Sequence, residues 1–162
     1  MMRKSLAIVA TLGCCLISAV QAAGYDAGLK AMQQGQFAKA FQEWKPLAES
    51  GKTEVQAAIA VMYHTGRGVD QDYQQALNWY RKAAEKGNAA AQANLGVMYA
   101  KGVGTQADEV MAYVWYDLAA AKSQGKRQQG REQIAKLLSE AELTKARQLS
   151  QEYAKKYVDP YR

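Results

Sequence analysis

Small, apolar and aromatic residues recur along the chain at helical spacings, and the whole pattern occurs twice. Ile59, Ala60 and Tyr63 reappear 36 positions later as Leu95, Gly96 and Tyr99. Spacings of one, three and four place each set on one helical face. A second pattern follows each set, formed by Ala76, Trp79-Tyr80 and Ala83-Ala84, then by Ala112, Trp115-Tyr116 and Ala119-Ala120. The sequence therefore predicts two helix pairs of a stacked repeat.

Two glycines separated by one residue lie between the helices of each predicted pair, at 66–68 and at 102–104. A phosphate-binding loop of this composition needs a preceding strand, whereas here a helix precedes. We therefore expect Gly66 and Gly102 to end the first helices in the left-handed conformation.

Aspartates in these loops are predicted to begin the second helices. Asp72 and Asp108 each precede a helical pattern directly, as N-cap residues do. Asp70 and Asp72 alone are too few ligands for calcium. The sequence thus predicts no metal at this loop.

The flanking segments differ from the two repeats. Upstream, Gly28, Gly35, Phe37, Ala40 and Trp44 indicate a shorter helix pair. Downstream, charged helices with a predicted Ser-x-x-Glu capping box at 139–142 are typical of the cap of a helical stack. The predicted domains are a signal peptide at 1–22, a helix pair at 23–52, repeats at 53–88 and 89–125, and capping helices at 126–162.

The first residues are typical of an export signal. Arg3 and Lys4 precede an apolar run, and Val20-Gln21-Ala22 predicts cleavage after Ala22. The predicted location is the periplasm or the medium, with no stable membrane insertion after removal of the signal. Both cysteines lie in the apolar run, so the mature fold is expected to form without disulfides. Lipidation of Cys14 is the alternative to its removal.

Positive charge is concentrated near the C-terminus, since ten basic and five acidic residues lie between Lys122 and Arg162. A solvated helical face explains this excess, and contact with an acidic partner or an anionic surface is the alternative. Nucleic acid is not expected as a ligand of an exported chain.

The repeated residues resemble the Sel1-like repeat, and the upstream pair is closer to a tetratricopeptide repeat. The first resemblance rests on positions shared with that family: Ala57, Leu95-Gly96, Tyr99, Gly102-Val103-Gly104, Ala112, Trp115-Tyr116 and Ala119-Ala120. The resemblance implies an all-α, right-handed superhelix of antiparallel helix pairs, with first helices lining the concave surface. It also implies an adaptor that binds a protein or peptide, in envelope signalling or assembly.

The tetratricopeptide arrangement implies three groove positions on each first helix. The candidate partner-binding residues are Tyr25, Leu29, Met32, Ala57, Val61, His64, Ala93, Val97 and Ala100. The middle residue of each set is apolar, as an apolar helix or extended peptide would require. The alternative is that neighbouring helices cover these residues.

Catalytic chemistry has little support in the sequence. The chain has one histidine, His64, and no Ser-His-Asp arrangement or histidine cluster. We expect no enzyme activity, no cofactor and no metal. The rivals are an enzyme acting on the cell wall or on β-lactams, with Asp108-Glu109 and Asp117 as a candidate acid and base pair, and a regulatory subunit that inhibits a membrane sensor. Self-association through the end helices stays open.

Overall fold

The computed structural model describes residues 21–121 and 125–157, and its regular elements there are all helices. The first, α1, covers 21–33 of this part of the chain. The others are α2 (Phe37–Glu49), α3 (Thr53–Thr65), α4 (Tyr73–Glu85), α5 (Ala89–Lys101), α6 (Glu109–Ala120), α7 (Lys126–Ala135) and α8 (Glu140–Tyr157). The predicted export signal lies outside the described residues, apart from its last two positions.

Consecutive helices pack as antiparallel pairs that continue into one right-handed superhelix. The pairs are α1 with α2, α3 with α4, and α5 with α6, and each second helix also packs on the first helix of the next pair. α7 continues the stack on α6 and α5, and α8 packs on α6. The predicted all-α solenoid with C-terminal capping helices is confirmed.

The helix ends follow the local sequence closely. Gly66 and Gly102 are left-handed C-caps with φ of 70° and 66°, where a side chain would be penalised. Asp72 and Asp108 accept hydrogen bonds from the backbone amides three residues later, at 2.9 Å in both cases. Both predicted types of helix end are therefore confirmed.

The second glycine of each loop has a role that the sequence analysis missed. A Cβ at Gly68 would lie 2.4 Å from the carbonyl of Phe37, and one at Gly104 would lie 2.5 Å from the carbonyl oxygen of Tyr73. These carbonyls belong to the first residues of the preceding second helices, α2 and α4. The loop can therefore lie directly against the neighbouring repeat only because this position has no side chain.

Aromatic rings of the second helices lie on small residues of the first helices. The Trp44 ring occupies the space that a Cβ of Gly28 would need, at 2.1 Å, and the Tyr116 ring does the same at Gly96, at 2.8 Å. Gly130 of α7 faces the other side of the Tyr116 ring, with its Cβ position 2.5 Å away. The two helices of a pair therefore approach closely at the small residue, where an aromatic ring lies against the helix backbone.

Buried glutamines connect successive repeats at equivalent positions. The side-chain amide of Gln56 donates to the carbonyl of Ala48 at 3.0 Å, and that of Gln92 donates to the carbonyl of Ala84 at 3.1 Å. Both carbonyls lie near the C-terminal end of the preceding second helix, where each also accepts a backbone N–H three residues later, from Gly51 or Gly87. Each bond therefore joins one helix pair to the next.

The last helix begins at the predicted capping box and then lies along α6. The backbone amide and the hydroxyl of Ser139 both donate to the Glu142 carboxylate, at 2.9 and 2.6 Å. Further along, the Tyr153 ring packs edge-on against Trp115, with centroids 5.5 Å apart. α8 thus covers the face of α6 that carries Trp115.

We predict that Gly104→Ala lowers the free energy of unfolding by about 3 kcal/mol. The left-handed φ of 70° would contribute about 1–2 kcal/mol and the contact with the Tyr73 backbone the rest. Gly35→Ala is the matched control, because its φ is 71° but no atom lies within 4 Å of the added Cβ. Urea unfolding measures both variants, and equal losses would show that the repeat contact contributes nothing.

Candidate partner-binding surface

Three first helices carry the nine candidate residues, and we call this the first-helix surface. α1 supplies Tyr25, Leu29 and Met32; α3 supplies Ala57, Val61 and His64; α5 supplies Ala93, Val97 and Ala100. Each helix is fixed behind this surface by its small residue, Gly28, Ala60 or Gly96, which are all buried. The solenoid therefore places equivalent side chains of successive repeats on equivalent helix faces.

The middle positions are the most open to solvent. Leu29 is 36% exposed and Val61 is 43% exposed, and both are among the four large exposed hydrophobic side chains of the described residues. Val97 is half-buried. Burial of such exposed apolar side chains against another surface would release free energy, so these positions are the most open candidates on the first-helix surface.

Four of the other candidates pack against the protein's own core. Tyr25, Met32 and Ala57 are half-buried against the main hydrophobic core, and Ala100 packs against the smaller core beneath α7. Tyr25 also stacks on Trp44, with ring centroids 6.3 Å apart. Ala93 is half-buried. These residues can lie at the edge of a binding surface, but they contribute no large exposed side chain to it.

His64 lies at the loop end of the surface between two tyrosines of α4. Its ring is edge-on to Tyr73 at 5.3 Å and to Tyr80 at 6.2 Å, and its Nδ1 atom is buried without a hydrogen-bond partner. Tyr73 is 40% exposed, and the sequence analysis missed it. The sequence did contain a signal for Tyr73, because this residue departs from the repeat: the equivalent residue of α6 is Glu109.

Tyr80 forms the buried floor behind His64. Its side chain is 3% exposed, and burial raises its pKa from 10.0 to about 12 because the phenolate would lose hydration. The phenol is therefore neutral throughout the physiological range. Tyr80 therefore contributes apolar contact and shape beneath His64 and carries no charge.

The carboxylates considered for catalysis have structural partners. Asp108 caps α6, and Asp117 forms an ion pair with Arg131 of α7 at 3.1 Å. Within the described residues, no three His, Cys, Asp or Glu side chains form a group that could hold a metal. In the same part of the chain, no helix is both long and apolar enough to cross a membrane.

A family model for the Sel1 repeat matches the chain twice, over residues 53–88 and 89–123. Among solved structures, the chain is similar to a protective antigen present in uropathogenic Escherichia coli strains that displays an SLR fold. The TM-score is 0.81 at 32% identity, over 87% of this chain and 31% of the antigen. The chain thus spans about a third of the antigen's length.

A second similar structure is a Sel1 repeat protein from Oxalobacter formigenes. The TM-score is 0.65 at 29% identity, and the match covers 77% of this chain and 97% of the other. No curated protein matches the chain. The matches agree with the repeat residues and the helix pairs described above.

We predict that the free energy of unfolding falls as the pH rises from about 10 to 12. Native Tyr80 keeps its proton to a higher pH than it does in the unfolded chain, so the native state loses relative stability in this interval. In Tyr80→Phe this fall should be smaller by up to about 2–3 kcal/mol, and urea unfolding at stepped pH measures it. Equal pH dependence in the two proteins would contradict the assignment.

Proposed function

Because the chain is a Sel1 repeat protein, we propose that it is a non-catalytic adaptor whose first-helix surface binds a protein or peptide partner. Sel1-like repeat proteins generally mediate protein–protein interaction. The observation that carries the proposal is the exposure of Leu29 and Val61 at equivalent positions of successive repeats. Packing of the repeat leaves both side chains partly exposed to water, and we propose that a bound partner covers them.

The apolar character of the middle positions indicates the kind of partner. Leu29, Val61 and Val97 occupy three successive first helices and carry no charge. An amphipathic helix or an extended segment can place apolar side chains along such a surface, with its polar side towards water. We therefore propose an apolar segment of a protein as the ligand.

Export of the chain is part of the same proposal. The basic start, the apolar run and the small residues before Ala23 support passage into the periplasm or the medium, where an envelope signalling or assembly protein would be the partner. Recovery from the periplasmic fraction with Ala23 as the first residue would support export. Recovery of the full-length chain from the cytoplasm would contradict it.

We predict that Val61→Glu combined with Val97→Glu abolishes partner capture. Carboxylates at these positions would have to lose hydration when an apolar segment binds, while their exposed or half-buried positions leave the fold intact. Affinity capture from envelope extract measures binding, and circular dichroism with thermal melting measures the fold.

Leu137→Glu is the matched control, because Leu137 is 70% exposed but lies between α7 and α8, away from the first-helix surface. It should capture the partner as well as the unchanged protein does. A stable double variant that still captures the partner would contradict the proposal.

A further inference from the structure

A second candidate surface lies on α4, the second helix of the pair formed by α3 and α4. Two clefts of about 320 and 510 Å³ share Lys82 and Glu85 and together follow the helix. Their lining also includes Asn78, Trp79 and Arg81 in the first cleft, and Glu49, Lys86 and Lys156 in the second. We call this continuous feature the α4 cleft.

An indole ring with cations above it lines the α4 cleft. The ammonium groups of Lys82 and Lys45 lie 4.1 and 5.6 Å from the centroid of the Trp79 ring. The indole is 5% exposed beneath these side chains. Lysine side chains are long and flexible, so a partner that attracts their ammonium groups can also reach the indole.

The next repeat shows which contact the helix face around Trp79 could make. Trp115 of α6 is equivalent to Trp79, and the Tyr153 ring of α8 packs on it with centroids 5.5 Å apart. Beside Trp79 there is instead an open cleft that side chains of α4 line. The fold therefore contains one tryptophan covered by a tyrosine-bearing helix and an equivalent tryptophan beside an open cleft.

The two positions differ in the residues around the tryptophan. Val114 and Leu118 of α6 correspond to Asn78 and Lys82 of α4. The first pair is buried, as suits a permanent intramolecular contact, whereas the second is exposed. The α4 position is thus suited to a ligand that binds reversibly, because the surface exposed when it dissociates is polar.

Charge specifies the chemistry of that ligand. Four cationic side chains line the α4 cleft, and its carboxylates are Glu49 and Glu85. Glu49 is already paired with Lys45 at 2.5 Å. The lining cations are Arg81, Lys82, Lys86 and Lys156. The excess of positive charge favours an acidic ligand, by charge complementarity.

We propose that the α4 cleft binds an acidic helical segment of a partner protein that places an aromatic side chain over Trp79. The segment would occupy the position on α4 that α8 occupies on α6. Its carboxylates would pair with Lys82 and Lys86, and its aromatic ring would add an edge-on contact to the indole. This surface is distinct from the first-helix surface, so the two proposals can fail independently.

The test uses the full chain and a fluorescently labelled peptide of residues 140–157 in which Lys145, Arg147, Lys155 and Lys156 are replaced by glutamate. We expect saturable binding by fluorescence anisotropy with a Kd of about 100 µM or tighter, weakening as salt increases. The same peptide with Tyr153→Ala should bind at least about tenfold more weakly.

Protein variants locate the binding site. Lys82→Glu should weaken binding at least about tenfold, whereas Lys136→Glu, an equal charge change at an exposed position outside the cleft, should change it less than about twofold. The double variant at Val61 and Val97 should bind the peptide normally. Three results would each overturn the proposal: no saturation at 1 mM peptide, equal effects of the two lysine variants, or loss of binding in the Val61 and Val97 variant.

Discussion

The ring of Tyr116 lies between two glycines, Gly96 of α5 and Gly130 of α7, and the close packing of three helices depends on this contact. A Cβ on either glycine would lie under 3.0 Å from the ring. The same contact occurs upstream, where Trp44 lies on Gly28. An aromatic ring against bare backbone fixes the distance between helices, so it sets the geometry of these two helix pairs.

This constraint explains most of the recurring residues and thereby separates packing from function. The aromatic rings and the small residues beneath them hold the two helices of a pair together, and the double-glycine loops hold one repeat against the next. Leu29 and Val61 are different. Both side chains are large, apolar and exposed to water, and neither is needed for packing against a neighbouring helix. Side chains that the repeat does not use for packing are therefore the ones through which an adaptor could recognise its partner.

Local features of the structure could be predicted from the sequence, whereas contacts between distant residues could not. Gly66 and Asp72 determine a helix end and a helix start through their own backbone geometry and hydrogen bonding, so the sequence near them was sufficient. The contact of Gly104 with the Tyr73 backbone joins two repeats and has no local signal.

The candidate surface shows the same division. Three candidates lie on each first helix, but their exposure depends on what packs nearby. Ala100 shares the pattern of its repeat and yet packs with the core beneath α7, while His64 rests on Tyr73 and Tyr80. The position of α8 could not be predicted either, because it depends on a contact between Trp115 and Tyr153, which lie far apart in the sequence.

Site-specific photocrosslinking in living cells tests most directly whether the first-helix surface binds a partner. A benzoylphenylalanine would replace Val61 in one protein and Leu137 in another, since both side chains are exposed but only Val61 lies on the first-helix surface. We expect a discrete adduct with one envelope protein from position 61 and no such adduct from position 137. The same adduct from both positions, or an adduct from position 137 alone, would contradict it.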